Sequence, residues 1–296
     1  MGKFIVTTDS GCDLPAELLK EREIVPLPLC YETDGKLFED TMKAEDCHEF
    51  YEKMRKGSVP KTSQANETQL IEFFTPLLKE GKPIVHISLG SAVSGTYKCA
   101  VNAARTLKEK CGAEIYVVDS TLCSTGYGML ALLAAEMRDK GAAAEKCFAE
   151  LEKRKINVNT WYTTDELLYL RRSGRCSRAA ALIGGIFKIC PILNLDSAGH
   201  LIVQQRVRGY KQTVARIFEI VKDTVTDAEN QTLYVCHSDV PERAREFGEA
   251  LKKEAGFKDV YYTYIGTIIG ANCGPGLVAA FYFGKPRNMA GYDKKD

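Results

Sequence analysis

The side chains best placed to do chemistry in this sequence are hydroxyls, and a turn rich in hydroxyls and glycines runs from Leu89 to Thr96, in Leu-Gly-Ser-Ala-Val-Ser-Gly-Thr. A β-branched apolar run from Pro83 to Ser88 precedes this turn and reads as a buried strand. After it, Ala100, Val101, Ala104 and Leu107 recur at helical spacing. A strand, a Gly/Ser turn and a helix start together make an anion site. The first helical turn has unpaired N–H groups, its dipole end is positive, and Ser94 and Thr96 add hydroxyl donors. No lysine stands in that turn, so a carboxylate or a single phosphate fits better than a phosphate-rich nucleotide. Thr8-Asp9-Ser10 and Thr62-Ser63-Gln64 are further hydroxyl turns. Each alone is ordinary turn hydrogen bonding; several at strand ends can converge on one polar spot.

Other chemistries find less support. A nucleophile elbow needs glycines two residues either side of its serine, and Ser94 has Ala92 and Thr96 there. The four histidines (His48, His86, His200, His237) stand in no loop that looks like a catalytic partner, and an activated serine needs a neighbouring base. A small serine esterase or thioesterase using Ser94 stays as the alternative from another class. Gly126-Tyr127-Gly128 has the letters of a dinucleotide fingerprint, but six residues separate it from Asp119 and no acidic strand end follows; helix packing accounts for it. Eleven cysteines are scattered with no two three residues apart, so neither a zinc site nor a redox pair is expected, and no cofactor or metal. Arg171, Arg172, Arg175, Arg178, Arg206, Arg208 and Lys211 make the second half locally basic. Solvated surface is the default reading, and a docking face for an anionic partner is the sharper one.

The elements that must position these residues alternate strand and helix over the first 155 residues. Strands are expected near residues 3–8, 24–31, 83–88 and 114–119, the second of them an edge because it carries two prolines. Helices are expected from Asp13, as N-cap, and over 45–56, 97–107, 126–140 and 142–155. Asn66-Glu67-Thr68-Gln69 reads as a capping box opening another helix, and Asp34-Gly35 as a hairpin turn. This rhythm predicts an α/β fold with a mostly parallel sheet, helices on both faces, and functional loops at the carboxyl ends of the strands. A second α/β domain is expected over 156–285 after a first over 1–155, with a polar tail over 286–296. In the second domain, Ile268 to Gly276 reads as a glycine-rich loop and Leu277 to Phe283 as an apolar terminal helix. At 296 residues the chain can bury full cores, and a net charge of +1 argues against bulk capture of nucleic acid. The N-terminus enters a strand directly and no window approaches about 18 uninterrupted apolar residues. A cytoplasmic protein without integral membrane association is expected.

Taken together the motifs resemble those of the DegV family of bacterial fatty-acid-binding proteins. The matching pieces are Thr8-Asp9-Ser10 with Cys12-Asp13-Leu14, Thr62-Ser63-Gln64, Ser91 with Ser94-Gly95-Thr96-Tyr97, and Val118-Asp119-Ser120 with Gly126 and Gly128. Leu170 to Ser177, Pro191-Ile192-Leu193, Arg206-Val207-Arg208, Ile269-Gly270 and Gly274-Pro275-Gly276 continue the match. The resemblance spans about residues 3–283, and the order and spacing of the pieces make it specific. It implies two α/β domains with one long-chain, palmitate-like fatty acid between them, in an apolar tunnel. It implies too that Thr62 and Ser94 hold the carboxylate, with Ser63, Gly95, Thr96 and Asn272 as further head-group contacts. Such a protein does no chemistry itself; it is a lipid carrier that can present the acyl chain to a fatty-acid kinase, for which Arg175 and Arg206 are the expected docking residues. Many members have histidine where this chain has Asn272. Asparagine donates a hydrogen bond but carries no charge at neutral pH, so a head-group role is expected to survive without a proton-linked one.

Overall fold

β-branched runs followed by amphipathic helices build the first half of the chain, in a computed structural model that describes residues 3–164, 167–176 and 189–288. In order these elements are β1 (Ile5–Asp9), α1 (Ala16–Glu21), β2 (Ile24–Leu27), β3 (Cys30–Thr33), β4 (Lys36–Glu39), α2 (Ala44–Arg55), β5 (Lys61–Ser63) and α3 (Glu67–Leu78). Then come β6 (Ile84–Ser88), α4 (Thr96–Cys111), β7 (Ile115–Asp119), α5 (Thr125–Asp139) and α6 (Ala144–Arg154). The parallel sheet has the order β2-β1-β6-β7, and a small antiparallel sheet has the order β4-β3-β5. α3 and α4 cover one face of the parallel sheet, where Phe74, Ala100 and Leu107 pack with Ile5 and Ile84. α5 and α6 cover the other, where Leu130, Ala134 and Leu151 pack with Val6, Val85 and Ile87. The Asn66 capping box is present in full, with Asn66 accepting from Gln69 N and Gln69 accepting from Asn66 N.

The second half forms β8 (Val158–Thr163), α7 (Leu167–Ser173), β9 (Ile189–Leu195), β10 (Leu201–Arg208), α8 (Tyr210–Thr224), β11 (Thr232–His237), α9 (Pro241–Ala255), β12 (Asp259–Tyr264), α10 (Thr267–Cys273) and β13 (Val278–Phe283). Six strands pair in the order β10-β9-β8-β13-β11-β12, antiparallel except for β11 with β12. α8 and α9 cover one face, burying Ile217, Val221, Phe247 and Leu251 against Trp161, Ile192, Val235 and Ala280. Each such side chain contributes roughly 1.5–3 kcal/mol on leaving water.

α5 lies between the two sheets, packing on β1 and β6 of one and on β8 and β13 of the other. Every residue from Thr125 to Ala131 is buried, as a helix without a solvent face requires. Its glycines let both walls approach. A Cβ on Gly128 would stand 2.8 Å from Cys12 O, and one on Gly126 3.1 Å from Phe281 Cδ1. The apparent dinucleotide fingerprint is therefore a helix-packing device.

Three expectations are corrected. The apolar run ending in Phe283 is strand β13, and the helix, α10, occupies the stretch read as a loop. Buried on both faces between β8 and β11, β13 must be apolar at every position, which leaves no period to distinguish it from a helix. The single strand expected over 24–31 is two: β2 is the edge of the parallel sheet, whereas β3 belongs to the small sheet. Asp13 caps nothing. It sits in the left-handed region at φ 53°, and α1 begins behind Pro15; its carboxylate has distant partners instead. Arg178, Ser177 and residues 289–296 of the expected tail lie outside the described residues.

Candidate ligand cavity

The carboxyl ends of β1, β6 and β7 carry three loops, and aspartates lock them together. Asp9 accepts hydrogen bonds from Leu89 N (3.1 Å) and Tyr127 OH (2.5 Å), which ties β1 to the loop after β6 and to α5. Asp13 accepts from Ser124 Oγ (2.5 Å) and Gly266 N (2.9 Å), reaching the start of α5 and of α10. Asp119 accepts from Ser91 N (3.0 Å) and Ser91 Oγ (2.6 Å), clamping the Gly/Ser turn onto β7. Burial drives the first two carboxyls upward, Asp9 to about 6 and Asp13 well above its ordinary range, despite the hydrogen bonds that oppose the shift. Both are positioning groups, since neither lines the space that these loops enclose.

That space is a cavity of about 560 Å³ between the parallel-sheet loops and the open face of the six-stranded sheet. Its exposed rim is polar: Ser63, Gln64, Ser91 and Arg175 are exposed, and Thr62, Ser94, Gly95 and Asn272 are half-buried beside them. Arg175 is the one cationic residue among the described lining residues. Its guanidinium donates to Ser173 O (2.6 Å), which holds it at the end of α7. The interior is mainly apolar. Leu195 of β9, Ala279 and Phe281 of β13, and Leu277, Ile265 and Ile268 form it, with the thiols of Cys236 and Cys273. Burial pushes Cys123, also on the lining, up to about 12, and Cys236 and Cys273 upward as well, so these are neutral, inert thiols. All eleven cysteines are free.

Two of the hydroxyl stretches meet at the rim, whereas Thr8-Asp9-Ser10 does not line the cavity. Thr62 on β5 and Ser94 ahead of α4 both line the cavity, and a Cβ on Gly95 would collide with Gln64 Oε1, so the two loops pack directly on each other. Ser94 Oγ accepts from Thr96 N (3.2 Å) and bonds Thr96 Oγ1 (3.0 Å). Thr96 itself is fully buried and off the lining; it orients Ser94. Asn272 donates one amide N–H to Ile268 O (2.9 Å) and has a second N–H that can donate at the rim. Arg206 is exposed on β10 and is not on the lining, whereas Arg175 is part of it. Reading spacing alone misses that difference, and it misses the clamping roles of Asp13 and Asp119. Asp119, followed by Ser120 at the end of β7, repeats the Asp9-Ser10 pattern; Asp13, between Cys12 and Leu14, carries no such signal.

None of the four histidines hydrogen-bonds Ser94. His86 is buried against Thr7 Oγ1 (3.0 Å) and lowered by burial to about 3; His237, also lowered by burial, to about 4, accepts from Val240 N. His48 pairs with Asp239 and His200 with Asp196. Among the described residues no group of three or more His, Cys, Asp or Glu could hold a metal ion, and no helix is long and apolar enough to cross a membrane.

A family model described as "Uncharacterised protein, DegV family" matches residues 3–285. A DegV domain-containing protein of Clostridium perfringens is 33% identical over 286 residues, 96% of this chain and 98% of that protein. The crystal structure of DegV from Bacillus subtilis, described as a fatty acid binding protein, superposes with a TM-score of 0.84 at 28% identity, over 96% of this chain and all of that one. A DegV lipid binding protein from Thermotoga maritima gives a TM-score of 0.83, also at 28% identity, over 97% of this chain and 100% of that one. Sequence and fold agree, and the chain belongs to the DegV family.

Proposed function

We propose that this protein binds one long-chain fatty acid, with the tail inside the cavity and the carboxylate at the rim on Thr62 and Ser94. The observation that carries the reading is the polarity of one continuous space: hydroxyls, two amides and a single guanidinium at the open end, and mainly aliphatic, aromatic and thiol side chains within. Its volume lies inside the roughly 300–1,000 Å³ of small-molecule sites. Burying a palmitate-like tail contributes on the order of 0.8 kcal/mol per methylene, an upper bound near ~11 kcal/mol before the costs of association. An unpaired carboxylate in such surroundings would be expensive. Hydroxyl and helix-start N–H donors at the rim offset that cost and fix the orientation. Ser63, Gly95 and Asn272 complete the head-group shell, and Thr96 supports it through Ser94. The names of the Bacillus and Thermotoga relatives, which speak of fatty acid and lipid binding, support the same reading.

A carrier of this kind presents its carboxylate outward, and a fatty-acid kinase docking near Arg175 and Arg206 is the partner that suits such a presentation. The chain itself then needs no catalytic group. The esterase alternative has little to favour it, because none of the four histidines hydrogen-bonds Ser94 and each has another partner. A division into two lobes near residue 155 belongs to the same proposal. It is supported by the strands, since every strand of the parallel sheet precedes residue 120 and every strand of the six-stranded sheet follows residue 157. A reducing, cytoplasmic setting suits eleven free thiols. Mass spectrometry of the purified protein is the direct test. Intact fatty acid released at about one per chain supports the carrier; an acyl group covalently bound to Ser94 overturns it.

A further inference from the structure

Two hydroxyls inside the cavity have no partner. Thr160 and Tyr162 stand two residues apart on β8, both face the cavity, and they are only 2% and 5% exposed. Neither Thr160 Oγ1 nor Tyr162 OH makes a hydrogen bond with any described residue. Their neighbours across the sheet cannot supply one: Tyr162 lies opposite Ala279 and Leu193, and Thr160 opposite Phe281. The other hydroxyl of the inner lining, Ser124 Oγ, donates to Asp13. Buried polar groups are almost always satisfied, so an orphaned pair aimed at an empty space marks where a guest atom belongs. Burial keeps the Tyr162 phenol protonated, and both hydroxyls can donate or accept.

Resting on the carrier reading above, we propose that Thr160 and Tyr162 form an interior polar station that receives a hydroxyl carried on the acyl chain. The protein would then prefer a hydroxylated long-chain fatty acid to its unmodified counterpart. A plain chain passing this point leaves both hydroxyls unsatisfied or traps a water. A chain bearing an oxygen at that depth pairs with them, at no cost to the carboxylate contacts at the rim. Two strand residues spaced i and i+2 stand roughly 7 Å apart, so one guest oxygen can meet either hydroxyl, and both are buried where the rim residues are exposed or half-buried. The station therefore reads position: a hydroxyl beside the carboxylate gains nothing from it.

The test compares stearate, a mid-chain hydroxystearate and the isomer hydroxylated next to its carboxylate, titrated into delipidated protein and into Thr160→Val and Tyr162→Phe. The mid-chain hydroxy acid should bind the native protein about five- to tenfold more tightly than stearate, the value of one net hydrogen bond. The isomer should match stearate. Tyr162→Phe should abolish the preference while binding stearate about twofold more tightly, because an unpaired polar group has gone; Thr160→Val should reduce the preference without needing any repacking of the ring. Equal affinity of the native protein for all three acids overturns the station and leaves the carrier intact, as does a preference that survives both substitutions. Failure of stearate and both hydroxy acids alike to bind overturns the carrier reading itself, and the station with it. Circular dichroism on each variant separates loss of the station from loss of the fold.

Discussion

The two sheets meet the cavity in opposite ways. The parallel sheet delivers strand ends: its contribution is loops, their backbone N–H groups and their hydroxyls, each loop fixed by an aspartate to another element of the chain. The six-stranded sheet delivers a face, on which alternate residues of β8, β9 and β13 lay down Tyr162, Leu195, Ala279 and Phe281 as a wall. Loops can place a donor to within hydrogen-bonding distance of a head group, whereas this strand face mainly paves, with Thr160 and Tyr162 as its polar positions. A ligand with one polar end and a long apolar body needs both, which explains why one chain carries two differently built sheets around a single shared helix.

The sharpest way to break this comparison is to remove one contribution at a time. If each hydroxyl serves a charged acceptor as proposed, Thr62→Ala combined with Ser94→Ala should weaken fatty-acid binding about a hundredfold, on the order of 3 kcal/mol. Stability should fall by no more than about 1 kcal/mol, the loss of the Ser94 cap on Thr96 N. Leu195→Ala on the paved wall should do the reverse, costing about 2 kcal/mol or more of stability with a small change in affinity. Calorimetric titration and thermal melts of the two variants should diverge; parallel losses would mean the walls do not divide the work.

Asp9 sharpens the comparison through pH. Its carboxyl titrates at about 6 in the fold against 3.8 ordinarily. Between those values the folded chain keeps a proton that the unfolded chain has released, so this group's stabilisation is complete below about pH 4 and is lost as pH rises through 6. The change amounts to about 3 kcal/mol. Buried His86 and His237, lowered to about 3 and 4, pull stability the other way over much of the same range. Only a difference measurement isolates Asp9. Asp9→Asn should gain on the native protein steadily between pH 4 and pH 7 in denaturant titrations. A constant difference would show that the loops do not rest on a protonated carboxyl. Smaller still is the effect of filling α5. Gly128→Ala faces backbone and Leu14 on the loop side and should destabilise by about 2 kcal/mol, whereas Gly126→Ala meets only the Phe281 ring and should change stability by less than about 1 kcal/mol.

The loop side was far more legible in the sequence than the paved side. Strand, Gly/Ser turn and helix start form a local signal, and so does the Asn66 capping box, because their hydrogen bonds close within four residues. β13 carried no such signal: burial on both faces erased its alternation, and only its neighbours make it a strand. Asp13 was misread for a related reason. Its residue type suits a helix cap, but its partners Ser124 and Gly266 lie 111 and 253 positions along the chain, and no spacing rule reaches that far. Tyr162 and Thr160 looked like ordinary strand residues, since nothing local says which face of β8 will border an open space.

Arg175 and Arg206 are the finest test of where the head-group region stops. Sequence treats them alike, as two basic residues of one locally positive half, and assigns both to a docking partner. Structure separates them, because Arg175 lines the rim with Thr62 and Ser94 while Arg206 stands on β10 outside it. An exposed guanidinium near a carboxylate is worth at most about 1 kcal/mol and is screened by salt. Arg175→Gln should therefore weaken fatty-acid binding about two- to fivefold at low ionic strength, and the difference should shrink as salt is added. Arg206→Gln should leave lipid affinity unchanged at every salt concentration and, where a kinase partner is supplied, should slow phosphorylation of the presented carboxylate. If the two substitutions act equally on lipid binding, the charge felt by the head group is the diffuse field of the basic surface, and the rim ends at its hydroxyls.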